Sequence, residues 1–212
     1  MGNICKHKGK KVLLVEGKND CHVVLALCQY HSLPKTFGIY ECENDDGLLK
    51  RLNALIIQPD PPEAIGIVID ADDFDVTGRW QQIQHKIRDH EYTFPGSPDI
   101  RGTILSDNPG RPDLGIWLMP NNQNPGMLED FLMEMADQDA ISSAFQCVKI
   151  AKQNGLSSFK DVHISKAIIH TYLAWQDEPG KPLGQSITAH SLKADTEIAT
   201  IFVGWLKELF TL

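Results

Sequence analysis

Three carboxylates in this sequence stand where an apolar run breaks into acid. Glu16 follows Val12–Val15, and Asp70 and Asp72 follow Ile65–Ile69. Both runs are short and rich in branched aliphatic residues, as buried strands of a parallel sheet are. In open α/β sheets ligands bind beyond the carboxyl ends of the strands. Two strands that deliver carboxylates there describe a divalent-metal site. The donors are hard oxygens, which suits Mg2+ or Mn2+. Side chains alternate along extended backbone, so Asp70 and Asp72 are expected to point one way and Ala71 the other. Glu16 comes from a separate strand and completes an oxygen cage. Asp73 is a further candidate contact, although alternation sends it away from that pair.

An acid run in a loop is ordinarily a solvated turn, and a lone Glu after a strand is ordinarily a helix cap. Here both follow buried strands, where a solvated turn would more often bring Gly, Asn or Ser. Asp70–Asp75 fails as an EF-hand, because the fifth position is Phe74, the sixth Asp75 and the twelfth Gln81. Neither a Walker A sequence nor a G-x-S-x-G elbow occurs. The eight histidines are scattered without zinc spacing.

The elements that must position these residues alternate. Strands are expected at Val12–Val15, Phe37–Cys42, Ala64–Asp70 and Leu114–Met119, with a short one at Thr103–Ser106. Helices are expected at Asp20–His31 (capped by Asn19 or Asp20), through Leu48–Ile56 (capped by Asp45 or Asp46), Val76–His90 and Gly126–Ala136. This order predicts an α/β fold, a mostly parallel sheet with helices on both faces. After Asp137 only helical patterns remain, at Ile141–Lys152, Lys160–Trp175 and Thr196–Leu209. The expected division is an α/β domain over residues 10–136 and a C-terminal helical extension over 137–212 packed on it. Trp80, Trp117, Trp175 and Trp205 lie in apolar stripes and are assigned to the core.

Glu129 opens the helix after the fourth strand, at the same sheet edge. Pairing with the helix dipole would explain it, but it is also a candidate metal ligand, and its neighbour Asp130 a weaker one. Lys18, Arg79, Arg101 and Arg111 are candidate phosphate contacts near that edge or in the long loop. Asn122, in the turn PNNQNP, offers a neutral oxygen to substrate or to a metal-bound water.

The chain has 212 residues, 42% hydrophobic and 23% charged, enough for a sizeable core. Its net charge of −8 weakens a nucleic-acid role without excluding it, since a metal, a protein partner or a homodimer could supply positive charge. No apolar run reaches the ~18 residues of a membrane span. The five cysteines, an odd count with no C-x-x-C pair, argue against a disulfide framework or a zinc site and for a reducing cytoplasm.

With Glu16 and the Asp70-x-Asp72 pair in place, VEGKND and IDADD resemble the signature of the Toprim superfamily. GIWLMPNNQNPGMLEDF and HTYLAWQDEPGKPLG extend the resemblance to a small stand-alone Toprim-like family of unknown function, related to the nuclease part of OLD-family proteins. The resemblance implies a Toprim-like (Rossmann-like) fold, proton transfer by Glu16 and Mg2+ or Mn2+ held by Asp70 and Asp72. Close relatives are expected to carry an acid where this chain has Asn121 and Asn122. No topoisomerase tyrosine domain, primase domain or ATPase accompanies the motif. The leading expectation is metal-dependent phosphodiester hydrolysis on nucleic acid. The other is a non-catalytic regulatory or interaction protein that keeps the acidic site.

Overall fold

The computed structural model describes residues 4–7, 9–72, 75–106 and 109–212. Its elements run β1 (Lys11–Val15), α1 (Lys18–Tyr30), β2 (Gly38–Glu41), α2 (Asp45–Ile57), β3 (Ala64–Asp70) and α3 (Val76–Ile87). Then come β4 (Thr103–Leu105), β5 (Asp113–Met119), α4 (Leu128–Glu134), α5 (Gln138–Gln153), α6 (Ile164–Leu173), α7 (Leu183–Thr188) and α8 (Glu197–Phe210). The strands form one sheet in the order β2-β1-β3-β5-β4. β2, β1, β3 and β5 are parallel, and β4 runs antiparallel at one edge. The expected α/β architecture is the one found.

Strand alternation explains the two faces. Val12, Leu14, Ile65, Ile67, Ile69, Leu114, Ile116 and Leu118 point to one side and pack on α2 and α3 through Leu48, Leu52, Trp80 and Ile83. Leu13, Val15, Val68 and Trp117 point to the other side, against α1, α4 and α8. The helices after Asp137 join that second cluster, so α7 lies on α1 and α8 on β3 and β5. Gly66 and Gly115 sit opposite each other on this face. A Cβ on Gly66 would come within 2.9 Å of Leu209, and one on Gly115 would run into Leu209 and Trp205. Two bare positions side by side therefore let α8 lie close against the sheet.

Several local expectations shift. α1 starts two residues early, with Gly17 as N-cap, while Asp20 sits in the first turn and accepts the Gly17 N–H at 3.1 Å. α2 is capped by Asn44, whose side chain accepts the Gly47 N–H at 2.7 Å. α7 forms between the stretches Lys160–Trp175 and Thr196–Leu209, where the sequence pattern has no helix. It is six residues long, and a Cβ on Gly184 would meet the backbone of His22 at 2.6 Å, so tertiary contact rather than propensity makes it. Trp175 is about half exposed, beyond the end of α6, and does not belong to the core.

The cysteine reading is corrected. Cys5 and Cys21 form a disulfide that ties the N-terminal segment to α1. That segment also hydrogen-bonds along the outer edge of β2, through His7 N–H to Ile39 O and Glu41 N–H to Cys5 O. An odd count excludes only complete pairing. It does not register two thiols that the fold brings together. No helix among the described residues is long and apolar enough to cross a membrane.

The close seat of α8 makes a contrast between two glycines. Gly115→Ala should destabilise the protein by about 1–3 kcal/mol through overpacking against α8. Gly204→Ala lies on the exposed side of α8 with open space around it. It should stabilise by about 0.5–1 kcal/mol. Thermal melts of both variants beside wild type check this, and equal effects would contradict the packing described.

Candidate functional site

Glu16 is the first residue past β1. Its Oε1 accepts the backbone N–H of Asp70 at 2.7 Å, which links the carboxyl ends of two adjacent strands. Asp70 is the last residue of β3, and its Oδ1 accepts the N–H of Leu128 at 3.0 Å, the first residue of α4. Glu129 follows directly and is 4% exposed. Asp20, in the first turn of α1, is also buried. These carboxylates line one open cleft of about 410 Å3, together with Glu41, Glu43, Lys18 and Lys166. Lys166, on α6, stands 4.0 Å from Glu129. The sequence-based grouping of Glu16, Asp70 and Glu129 is thus found at one place, with exposed Lys18 on its lip.

Crowding acids in a half-dry cleft disfavours their charged forms. Burial raises the pKa of Glu16 to about 7, and the charges of Asp20 and Asp72 add to the rise. Asp70 is pushed to about 9 by burial and then by Glu16, Asp20, Asp72 and Glu129. Asp20 rises to about 6, again chiefly through burial. Burial also raises Glu129, while Lys166 works in the opposite direction.

Asp72 departs from the alternation argument. The strand ends at Asp70, and Asp72 has φ 54°, in the left-handed region, so the two-residue rhythm no longer applies. Its backbone pairs with Gly126, through N–H bonds of 2.8 and 3.0 Å, and its carboxylate forms an ion pair with Arg79. Asp72 therefore does not line the cleft beside Asp70, although its charge reaches both Glu16 and Asp70. Asp73 lies outside the described residues.

Arg79 is 1% exposed and is held by Asp72, by Asp45 at 3.0 Å and by Gln82 at 2.7 Å. It braces the loop after β3 and does not face a phosphate. Arg111 precedes β5, whose first residue pairs with the first residue of β3. It therefore sits at the amino edge, about 20 Å from the carboxylates at ~3.3 Å per residue. Asn122 is buried, accepting the Leu118 N–H at 2.7 Å and donating to Ile100 O at 3.4 Å. It clamps its own turn. Asn121 also turns inward, accepting the N–H groups of Gln123 and Asn124 at 3.2 and 3.0 Å. Asp130 caps α4 through the Met127 N–H and accepts the Ser165 hydroxyl at 2.7 Å, which ties α4 to α6.

Asp20 and Lys166 escaped the sequence reading. Asp20 reads as a cap, and only the early start of α1 turns its carboxylate to the cleft. Lys166 is one cation in a helical stretch, and nothing local marks it. Among the described residues, no three His, Cys, Asp or Glu side chains stand together as a ready-made metal cage.

A family model described as "Protein of unknown function (DUF3226)" matches residues 10–211. The chain belongs to this family. The span that matches DUF3226 takes in the sheet that carries Glu16 and Asp70 and also α6, which carries Lys166. Neither the curated proteins nor the solved structures give a match.

The raised acids predict how stability follows pH. Unfolded, these groups release protons near the ordinary 3.8 and 4.5; folded, Asp20, Glu16 and Asp70 hold them to about 6, 7 and 9. The folded chain binds more protons throughout that window, so its stability should fall as pH rises. In a chelator, the melting temperature should decline from about pH 4 to about pH 9, and Asp70→Asn should flatten the upper part of the decline. A melting temperature that climbs over this range would contradict the burial of these acids.

Proposed function

We propose that this protein binds Mg2+ or Mn2+ at the Glu16–Asp70–Glu129 cleft and hydrolyses phosphodiester bonds of nucleic acid. The observation that carries the reading is the convergence of these acids, with Asp20, on one cleft at the carboxyl edge of a parallel sheet. The donor set fits the ion. Mg2+ keeps several waters and is bound through one or two carboxylates plus substrate phosphates, so it needs no complete protein cage. Acids held uncharged only by burial and mutual repulsion gain from a nearby cation.

Asp70 and Glu129 are the residues that would hold the ion. When bound, it would polarise a phosphoryl oxygen and lower the pKa of an attacking water. Glu16 keeps Oε2 clear of its bond to Asp70 and would accept a proton from that water. Lys18 and Lys166 flank the acids and would meet phosphate oxygens. The resemblance to Toprim proteins assigns Glu16 the same proton-transfer role and points to the same class of reaction.

The second reading is a regulatory or interaction protein that keeps the acidic cleft without catalysis. Its specific support is the pairing of Asp72 with Arg79, which takes one expected ligand out of the cleft.

Purified protein with millimolar Mg2+ or Mn2+ separates these readings. Metal at ~100 times its Kd stabilises by about 2.7 kcal/mol, which raises the melting temperature by several degrees at ~2–4 °C per kcal/mol. Glu129→Gln should cut that rise. Cleavage of single-stranded DNA or RNA should fall at least ~100-fold in Glu16→Gln. A melt unmoved by either metal removes the metal site. A metal-shifted protein that leaves every nucleic acid intact favours the regulatory reading.

A further inference from the structure

The β2 edge holds a second hollow, of about 350 Å3, that shares Glu41 and Glu43 with the carboxylate cleft. At its centre the Arg51 guanidinium lies on the ring of Tyr40, with Cζ 3.5 Å from the ring centroid. Lys6 approaches the same ring at 4.9 Å, and Lys50 completes the lining. The three cations are not equally engaged. Lys6 is taken up by Glu41, 3.1 Å from Oε2 and 2.5 Å from the backbone oxygen. Lys50 reaches Asp46 only at 3.5 Å and is 73% exposed, a pairing worth little in water.

Arg51 has no carboxylate and no hydrogen-bond acceptor among the described residues. Its Nε is closed off and unbonded, while its two terminal nitrogens are not among the buried unbonded atoms and so reach solvent. Stacking on Tyr40 fixes the plane of the guanidinium and leaves those nitrogens as a fork. A planar fork of this kind grips a phosphate through two parallel N–H bonds.

The position also suits a chain of phosphates. Tyr40 pairs with Leu14 and Glu41 with Val15, so Tyr40 lies one strand across and two residues back from Glu16. That is a Cα separation of about 8 Å, a span that neighbouring phosphates of one nucleic-acid strand can bridge.

We propose that this hollow is a phosphate subsite, in which Arg51, backed by Tyr40 and joined by Lys50, holds a backbone phosphate of a nucleic-acid strand beside the carboxylate cleft. The proposal rests on the reading of that cleft as a site for nucleic acid, and it names the element that anchors the strand.

Fluorescence anisotropy with a short 5′-labelled single-stranded oligonucleotide tests it, in EDTA so that metal plays no part, over a series of salt concentrations. Arg51→Lys keeps the charge and the ring contact but loses the fork. Adding Lys50→Gln removes an exposed cation. The double variant should bind about 10-fold or more weakly, and its slope of log affinity against log salt should be shallower by about 1. Its melting temperature and its Mg2+ shift should match wild type. Equal binding by the double variant and wild type overturns the subsite, and so does a wild type that does not bind in EDTA. If Arg51-dependent binding persists while Mg2+ fails to shift the melt, the subsite stands and the hydrolase reading falls.

Discussion

Holding several buried carboxylates at one edge of a sheet is the constraint on which the rest of this structure depends. Glu16, Asp20, Asp70 and Glu129 repel one another, and burial makes the repulsion harder to screen. Backbone N–H groups hold three of them: Asp70 N–H on Glu16, Leu128 N–H on Asp70 and Gly17 N–H on Asp20. Each bond also joins the start or end of one element to another or closes a helix terminus. The acids are therefore fixed by the same contacts that define where β1 and β3 stop and where α1 and α4 start.

The sheet can carry that edge because both of its faces are covered. α2 and α3 close one side, and α1, α4 and α8 close the other. The helices after Asp137 are integral to this arrangement. α8 seats on Gly66 and Gly115, α7 packs at backbone distance on α1, and α6 brings Lys166 to Glu129. The last third of the chain thus provides both core and a cation beside the acids. The family match over residues 10–211 agrees with such a unit.

Arg79 shows how a charge can serve an edge without facing solvent. It is buried among Asp45, Asp72 and Gln82, and so joins the start of α2, the loop after β3 and α3. A buried guanidinium that satisfies several acceptors sets geometry more than it adds stability. It pairs with Asp72, while Asp70, the last residue of β3, lines the cleft.

How far the sequence alone could be read follows from the range of the forces involved. Strand rhythm and β–α alternation are local, so the parallel sheet, its order of elements and the placement of Glu16 and Asp70 at its carboxyl edge were legible in Val12–Val15 and Ile65–Ile69. Glu129 was legible for the same reason, since a helix after a parallel strand must begin at that edge. Side-chain direction past the end of a strand was not. Asp72 lies where the backbone leaves the β region, and its partner Arg79 is fixed by packing on α2 and α3. Asn122 and Arg111 were misplaced by proximity in sequence: one is consumed by its own turn, and the other stands at the opposite end of β5. The Cys5–Cys21 bond, the turn of Asp20 and the arrival of Lys166 join segments far apart in the chain or set by a helix start. Sequence by itself determined which edge of the sheet is acidic, because periodicity is carried by neighbouring residues. Tertiary structure decided which acids share the cleft and which cations stand beside them, because those distances depend on how separate elements pack.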